Sequence, residues 1–466
     1  MPPTDSLVRE ARATILLALP LVIGQVSQML IGVADTLMIG RLGKVPLAAA
    51  TFANNIVYLP FMFGIGMSIA VSVRVSQARG AERPADARGA LRNGLWLTLA
   101  IGVLTVVVAL LVLPLFPYFG QKPEVIAAAP AYFLLIAFSL VPGMTVMALK
   151  SFCDAMSRPW PAFYILFGGV VLNVLLNWIL INGRLGAPAL GLEGAGVATL
   201  LARLATFGGL VLLCCRLPAF RDWIPRRWFR APHWPTMRGL VKIGLPTSIQ
   251  ILAEMSAFVM SAVIIGWLGV AALASHQVAI TCAATVFMVP LGLSQALTVR
   301  VGEAWGARQF GRWRPIVVSA WILSLAFAFG SAALFLLFNR PLAAVFLPND
   351  PATAELAAGL LVVAAAFQLG DSLQIVSSGG LRGLNDVRVP ACVAFLAYWV
   401  ISIPLGYLLA FPLGWGVDGV WWAITLGLSL TAITLTIRLW IKTGREPPEG
   451  SERGEGTPES DDPGTE

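Results

Sequence analysis

The sequence predicts an all-α integral membrane protein with twelve transmembrane helices in two six-helix lobes, and three observations support this fold class. First, 58% of the 466 residues are apolar and only 12% are charged, whereas soluble domains carry roughly 25% charged residues. Second, apolar segments of about 20 residues recur along the chain, and each could cross a hydrocarbon core of about 30 Å as a helix. Third, the second half of the sequence repeats the first.

Each predicted span is an apolar segment bounded by Gly, Pro or clustered charges. The spans are 14–40, 47–77, 93–116, 127–149, 162–183, 194–215, 239–266, 271–301, 316–338, 353–378, 391–411 and 419–441. Stretches such as VVVALLVLPLF at 106–116 do not alternate between polar and apolar residues, as the strands of a membrane β-barrel do. The first segment carries Gln25, Gln28 and Asp35 and lacks a small-residue cleavage site, so we expect a span and not a signal peptide.

The net charge of +8 is distributed unevenly between the two sides of the predicted membrane. About 26 of the 32 Lys and Arg residues fall on the side that holds both termini, and about five fall on the other. Basic residues accumulate on the cytoplasmic side of membrane proteins, so both termini are expected in the cytoplasm. The topology therefore accounts for the charge, and no nucleic-acid partner is expected.

The repeat appears when the chain is shifted by 226 residues, which aligns Leu19 with Leu245. The match continues without a gap to Ala81 and Ala307, and about 23 of the 63 aligned positions are identical, more than chance gives in an apolar background. Equivalent points are six spans apart, so both halves enter the membrane in the same direction. A pseudo-twofold axis along the membrane normal should relate them.

The repeat divides the chain into an N-terminal lobe, 1–215, and a C-terminal lobe, 239–442. The segment between them, 216–238, is basic, broken by Pro and rich in Trp, which suits a cytoplasmic linker at the level of the lipid headgroups. It could be a simple tether or could recognise lipid. The tail, 443–466, has too few apolar residues to fold and is predicted to be disordered.

Three carboxylates lie well inside predicted spans, namely Asp35, Glu254 and Asp371 in spans one, seven and ten. A charge near the bilayer centre costs roughly 2.5 to 3.5 kcal/mol, so such side chains should face a protein interior or a wet cavity. One interpretation is a buried carboxylate held by polar partners for packing specificity. The other is a site where a desolvated carboxylate binds a cation or takes up a proton.

Other polar residues inside the spans are more ambiguous. Asn173 and Asn177 are four apart and share one face of span five, where they could serve the same site or bond two helices together. His276, near the start of span eight, is typical of a structural histidine. Pro20, early in span one, could act as a hinge or simply start a helix. Among the basic residues, only Arg203 falls in the middle of a predicted span.

The sequence lacks the motifs of a metal enzyme and of a P-loop ATPase. The two histidines and five cysteines do not form a cluster with metal-ligand spacing, and no G-x-x-x-x-G-K-[ST] sequence occurs. We therefore expect no enzyme, no cofactor and no structural metal. An ion gradient would have to supply the energy for any transport.

The chain resembles the multidrug and toxic compound extrusion (MATE) transporters over about residues 12–442. The resemblance rests on the duplicated twelve spans, on the LP and IG-LG motifs from Leu19 to Gly43 and from Leu245 to Gly269, on ASHQVA at 274–279, and on LRGLNDVRVP at 381–390. The bacterial NorM-like branch is most similar, since its pattern has an acid in span one, two Asn in span five, and acids in spans seven and ten.

The resemblance implies a V-shaped, monomeric antiporter of the bacterial inner membrane that exports small amphipathic, often cationic compounds in exchange for Na⁺ or H⁺. It implies that Glu254, Asp371, Asp35, Asn173 and Asn177 bind the cation or the substrate, with any Na⁺ held only transiently. Sodium-coupled members have a Tyr one turn before the acid of span ten, where this chain has a phenylalanine at 367, so the coupling ion stays open.

Two other functions are compatible with a chain of many apolar spans. A flippase for a lipid-linked saccharide would need a basic cavity for its anionic substrate, whereas Arg203 is the only basic residue in mid-span. An integral-membrane lipid enzyme would need clustered His, Asp or Ser residues near a membrane face, and the two histidines have no such neighbours in the sequence. Both alternatives are less well supported than the antiporter.

Overall fold

A computed structural model describes residues 4–444, and all regular secondary structure within this range is helical. Within this range, twelve helices are long and apolar enough to cross a membrane, as the sequence predicted. The predicted tail lies almost wholly outside the described residues.

The helices are α1 (Thr4–Gly40), α2 (Lys44–Gly80), α3 (Pro84–Val112), α4 (Pro123–Ala155), α5 (Pro159–Asn182), α6 (Gly191–Arg216), α7 (Trp234–Leu268), α8 (Val270–Gly306), α9 (Trp313–Phe346), α10 (Pro351–Gly383), α11 (Arg388–Phe395), α12 (Ile403–Ala410) and α13 (Gly416–Thr443). Span eleven consists of α11, a π-helical segment (Leu396–Ser402) and α12. Short 3₁₀ segments are Leu113–Phe119, Pro218–Phe220 and Phe310–Arg312.

Local sequence explains where several helices begin and end. Pro84, Pro123 and Pro159 each occupy the first turn of a helix, where the missing N–H costs no helical hydrogen bond. Asp350 caps α10, since its carboxylate accepts hydrogen bonds from the backbone N–H of Thr353 at 3.1 Å and from the hydroxyl of Thr353 at 2.6 Å.

Some helices extend beyond the apolar segments that identified them. The prediction ended span ten at residue 378, but α10 continues to Gly383 and buries Arg382, which is only 5% exposed. Span eight likewise continues from the predicted 301 to Gly306. Hydropathy underestimates these ends because small and charged residues lower the average even where they pack inside protein.

The described chain divides into two compact units. The first unit is Ile23–Ser248, and the second contains the residues up to Val22 and those from Ile249 onward. The first unit has an apolar core from α1 to α6 around Phe116 and Phe133. The second has two core clusters, which include Trp313 and Trp421.

The division cuts both first helices of the repeats at equivalent places, because 22 and 248 differ by the repeat offset of 226. Close helix contacts repeat in the same way. A Cβ on Gly66 of α2 would lie 2.6 Å from the backbone nitrogen of Ser248, and a Cβ on Gly292 of α8 would lie 3.0 Å from the backbone nitrogen of Val22. The duplicated glycines therefore allow each helix half to pack closely within its unit.

Small and hydroxylated side chains form the crossing of α8 and α10 in the second unit. Ser294 donates to the carbonyl oxygen of Ile375 at 2.6 Å, and Thr298 donates to that of Gly379 at 2.9 Å. Gly379 and Gly383 have no room for a Cβ next to α8. This is the small-xxx-small packing with interhelical hydrogen bonds that holds helices together in lipid, where apolar burial provides little driving force.

Candidate functional site

The five predicted site residues form two clusters, one in each unit. Asp35, Asn173 and Asn177 belong to the first unit, and we call them the first cluster. Glu254 and Asp371 belong to the second unit and form the second cluster.

The first cluster joins α1 to α5 through amide hydrogen bonds. The Asn177 side chain donates to Asp35 Oδ1 at 2.6 Å and to Asn173 Oδ1 at 3.2 Å. Asn173 donates to Thr199 Oγ1 of α6 at 3.4 Å. The two asparagines thus share a face of α5, and they are 5% and 1% exposed.

One acceptor in the first cluster has no hydrogen-bond donor among the described residues. This atom is the buried Asn177 Oδ1, although the amide nitrogen of the same side chain donates to Asp35. A buried oxygen without a hydrogen bond can be satisfied by a bound hydrogen-bond donor or by a cation. Carboxylate and amide oxygens are both suitable ligands for a hard monovalent or divalent cation, and a protonated carboxyl could also supply a donor.

A base lies within electrostatic reach of Asp35, which the sequence does not predict. Arg203 of α6 donates to Ser139 Oγ at 2.8 Å and lies over the ring of Phe61 at 5.8 Å. It also attracts the Asp35 carboxylate electrostatically. Tyr132, whose hydroxyl accepts from Asn54 at 3.3 Å, is close to both charges. These partners come from α2, α4 and α6, and no sequence spacing connects them.

The second cluster holds Glu254 with two glutamine amides. Gln250, one turn earlier on α7, donates to Glu254 Oε1 at 3.0 Å, and Gln374 of α10 donates to the same oxygen at 2.6 Å. Gln250 and Ser378 also exchange hydrogen bonds at 3.0 and 3.2 Å. Both amides donate to Oε1, so no amide of the described chain donates to Oε2.

Arg382 is close to this network, contrary to the prediction from the sequence. The prediction placed it outside span ten, but it is buried near the end of α10 and donates to the Ser378 carbonyl oxygen at 3.2 Å and towards Ser294 Oγ at 3.5 Å. It attracts Glu254 electrostatically. Arg203 is therefore not the only base inside the helices.

Asp371 differs from the other two acids because, among residues 4–444, no side chain or backbone group donates a hydrogen bond to it. It is 8% exposed. Glu254 and the 2%-exposed Tyr398 are its charged or titratable neighbours. One turn earlier, Phe367 packs edge to face against Phe258 and Trp421, with ring centroids 6.1 and 5.9 Å apart.

The helix that carries Tyr398 is irregular at this point. Residues Leu396–Ser402 form a π-helical turn, a rare conformation that often occurs at functional sites. Within it, the indole of Trp399 donates to the carbonyl oxygen of Ala253 at 3.2 Å, next to Glu254 in the sequence. The irregular turn therefore packs against the part of α7 that holds the acid.

No lysine or arginine nitrogen lies within 4.0 Å of the carboxylates of Asp35, Glu254 or Asp371 in the described chain. Other buried acids of the described chain do form ion pairs. They are Glu10 with Arg300 and Arg312, Asp154 with Lys150, and Asp386 with Arg438 and Lys442. The three acids of the two clusters thus have no Lys or Arg ion-pair partner among the described residues.

Two other residues from the sequence analysis also have definite positions. His276 is 3% exposed and accepts a hydrogen bond at Nδ1 from the indole of Trp421 at 3.2 Å, as expected of a structural histidine. Pro20 lies inside α1, which continues through it as a helix. Within residues 4–444, no three His, Cys, Asp or Glu side chains come together as a metal site would require.

Comparison with solved structures shows the fold. A structure described as the eukaryotic MATE transporter AtDTX14 superposes with a TM-score of 0.85 at 20% identity, covering 95% of this chain and 98% of the other. A structure described as the outward-facing conformation of a multidrug resistance MATE family transporter gives a TM-score of 0.83 at 19% identity, covering 93% and 96%.

Sequence comparisons show the family. The probable multidrug resistance protein NorM of Rhizobium meliloti (strain 1021) is 36% identical over 433 residues, 92% of this chain and 93% of the relative. The protein of the same description from Agrobacterium fabrum is 35% identical over 439 residues, 93% and 94% of the two chains. The MatE family model matches residues 20–179 and 246–408, one match in each repeat. The chain therefore belongs to the MatE family, which is a family of membrane transporters and not of enzymes.

Proposed function

We propose that this chain is a secondary active multidrug efflux antiporter, which exports small amphipathic, often cationic compounds in exchange for Na⁺ or H⁺. The observation that carries the proposal is Asp371, a nearly buried carboxylate without a hydrogen-bond donor or a basic partner within 4.0 Å among residues 4–444. A bare charge in such a place is unfavourable unless something positive neutralises it.

Competition for the second cluster explains exchange. A proton, an alkali cation or a cationic compound can neutralise Asp371 and the Oε2 atom of Glu254, which receives no amide hydrogen bond in the described chain. We call any of these three a guest. Two positive guests bound at the same time would repel each other. Gln250 and Gln374 hold Glu254 through Oε1 and so orient the carboxylate while a guest arrives or leaves. Binding of one guest therefore favours release of the other.

The first cluster is proposed to bind cation or substrate in the N-terminal lobe. Asp35 and Asn177 Oδ1, which has no hydrogen-bond donor in the described part of the chain, would supply oxygen ligands, and Asn173 would hold Asn177 in place. Arg203 compensates part of the charge of Asp35, the only acid of this cluster, whereas Arg382 attracts only Glu254 of the two acids in the second cluster. The first cluster therefore needs a mobile cation less than the second.

An ion gradient is sufficient to drive such export. One charge that moves across 100 mV releases about 2.3 kcal/mol, and a tenfold concentration difference adds about 1.4 kcal/mol. The coupling ion, Na⁺ or H⁺, stays open in the proposal because Phe367 lacks the hydroxyl of sodium-coupled members. No cofactor is required.

The proposal includes the topology from the sequence, with an inner-membrane location, cytoplasmic termini, a monomer, and lobes at 1–215 and 239–442. Pro20 is proposed as a hinge, supported by the boundary of the compact units two residues later at Val22. Pro20→Ala should slow transport while leaving equilibrium drug binding unchanged. Equal transport rates in Pro20→Ala and wild type would exclude the hinge.

Transport by purified protein in liposomes tests the function. Sodium and pH gradients are imposed separately, and ethidium export is followed for the wild type, Glu254→Gln and Asp371→Asn. We expect one gradient to drive export in the wild type and neither to drive it in the variants. Glu355→Gln is the control, because this α10 carboxylate forms an exposed ion pair. Export at the wild-type rate by both site variants would refute the assignment.

A further inference from the structure

The linker between the repeats is not a loose tether. Its Phe220 is fully buried and packs edge to face on Phe152 at 5.3 Å. Three further contacts tie it to α3. Arg88 donates to the Asp222 carbonyl oxygen at 3.0 Å, Trp96 donates to that of Arg230 at 3.1 Å, and the His233 backbone N–H donates to Asn93 Oδ1 at 2.7 Å. All of these residues belong to the first unit, so the linker has a defined surface.

That surface combines exposed aromatic rings with arginines. Phe229 and Trp234 are 92% and 72% exposed, which is unusual for such large apolar side chains. The arginines at 221, 226, 227 and 238 are exposed as well. Within residues 4–444, none of these four has a carboxylate within 4.0 Å.

Two of these residues line a shallow pocket. Trp234 and Arg238 lie one turn apart at the start of α7 and line a pocket of about 310 Å³. A guanidinium binds phosphate through charge-assisted hydrogen bonds. An indole ring packs on apolar matter and is enriched at the membrane interface.

The linker must also lie at the membrane surface. It joins the end of α6 at Arg216 to the start of α7 at Trp234, and both are candidate membrane spans. The ends of two consecutive spans are on the same side of the membrane, so the linker lies where headgroups begin.

We propose that Arg226, Arg227 and Arg238, with Phe229 and Trp234, form a binding surface for the headgroups of anionic phospholipids. We call this set the linker surface. The arginines bind the phosphates, and the two rings insert beside the glycerol and upper acyl carbons. A soluble phosphate compound would use the arginines alone, whereas the exposed rings favour a partner that has an apolar part. The proposal needs only that α6 and α7 span the membrane, and not that the chain transports drugs.

Lipid binding by the full chain tests the proposal. Purified protein in neutral detergent is titrated with dioleoyl phosphatidylglycerol, with dioleoyl phosphatidylcholine, or with glycerol phosphate, and native mass spectrometry counts the bound molecules. The wild type should bind phosphatidylglycerol in preference to phosphatidylcholine, and added salt should weaken this preference.

The test variant is Arg226→Gln/Arg227→Gln/Arg238→Gln. A basic residue near an anionic surface contributes about 1 kcal/mol, so loss of three should raise the dissociation constant for phosphatidylglycerol roughly 100-fold. The matched control is Arg41→Gln/Lys44→Gln/Lys122→Gln, which removes the same charge from three exposed residues outside the linker and should bind like the wild type. The charge-preserving triple lysine variant should bind within about tenfold of the wild type.

The apolar half of the surface has its own variant. Phe229→Ser/Trp234→Ser keeps every charge and should bind phosphatidylglycerol at least tenfold more weakly, while leaving any binding of glycerol phosphate unchanged. All substituted side chains are exposed, so the variants should fold. Equal binding of phosphatidylglycerol by the triple glutamine test variant and the triple glutamine control would overturn the proposal. Competition by glycerol phosphate at the affinity of the lipid would overturn it too, because the surface would then recognise a soluble phosphate.

Discussion

A buried charge cluster at the N-terminal end of α1 gives the sharpest stability prediction. Glu10 is 2% exposed and pairs with Arg300, which is 8% exposed. The same Arg300 donates to the Glu10 carbonyl oxygen at 2.7 Å and to the hydroxyl of the fully buried Thr14. Arg312 adds a second contact to the Glu10 carboxylate, at 3.2 Å. All of these residues belong to the second unit.

Glu10→Gln should therefore be strongly destabilising. It removes the negative charge but leaves Arg300 buried, and breaking one side of a buried pair costs about 3 to 5 kcal/mol. We expect about 3 kcal/mol, because the new amide can still accept one hydrogen bond. The matched control is Glu355→Gln, which breaks a pair with Arg340 of 2.8 Å whose side chains are 63% and 75% exposed. Exposed pairs contribute only about 0 to 1 kcal/mol.

Thermal unfolding in detergent, followed by aggregation or by thiol exposure, measures the difference. For units of 150–250 residues, 1 kcal/mol shifts the midpoint by roughly 2–4 °C, so Glu10→Gln should lower it by roughly 6–12 °C and Glu355→Gln by less than about 4 °C. The double variant Glu10→Leu/Arg300→Met should recover most of the loss, since it leaves no unpaired buried charge. Equal midpoints for the two single variants would refute the reasoning.

Comparison of the repeats explains why the glutamate is needed. The positions that correspond to Arg300 and Arg312 hold Arg74 and Asp86, and Arg74 and Asp86 attract each other. In the second unit, Arg312 occupies the position that Asp86 holds in the first unit. Arg300 and Arg312 are both positive, so a carboxylate from another part of the unit has to compensate them. The position that corresponds to the glutamate holds Thr236, where no acid is required.

Three further predictions concern packing, the first cluster and the coupling ion. Gly379→Ala should lower stability by about 1–3 kcal/mol in thermal unfolding because its Cβ would overlap α8, whereas Gly359→Ala on the same helix has open space and should be neutral or up to about 1 kcal/mol stabilising. Asn177→Leu should abolish the contribution of the first cluster and reduce ethidium export at least tenfold, while the exposed Asn182→Leu should not. Phe367→Tyr should increase the stimulation of export by sodium in liposomes, since it adds a hydroxyl one turn before the acid of α10.

Each of these has an outcome that would contradict it. Similar midpoints for the two glycine variants would show that α8 and α10 adjust easily to a methyl group. Normal export by Asn177→Leu would remove the first cluster from the mechanism. An unchanged sodium response in Phe367→Tyr would show that the phenylalanine does not decide the coupling ion.

The sequence could predict the spans and the three acids because both depend on local properties. Length and hydropathy identify a helix that crosses lipid, and a carboxylate inside such a helix is unusual wherever its partners are. Asn173 and Asn177 could be paired for the same reason, since i and i+4 share a helix face. Gln250 also lies one turn from Glu254 and could have been identified in this way.

The partners of those acids could not be predicted, because they come from distant helices. Gln374 and Arg203 have no sequence relation to Glu254 and Asp35, and only the packing of the helices brings them close. The predicted span ten ends at residue 378, before Arg382, whereas α10 continues to Gly383. The small residues from Ser377 to Gly380 lower the hydropathy, but they are also what a close helix crossing requires. Nor does the repeat reveal which unit the first half of α1 joins.

The two clusters differ in a way that indicates where exchange takes place. Asp35 already has an amide donor at 2.6 Å and an arginine within electrostatic reach, so part of its charge is compensated by the protein itself. Asp371 has neither among the described residues, and its charged neighbour Glu254 has the same sign. A positive guest thus gains more at the second cluster than at the first. Because the guest must also leave, the absence of a permanent partner at Asp371 is a requirement of exchange, and we expect competition between coupling ion and substrate to depend on Asp371 more than on Asp35.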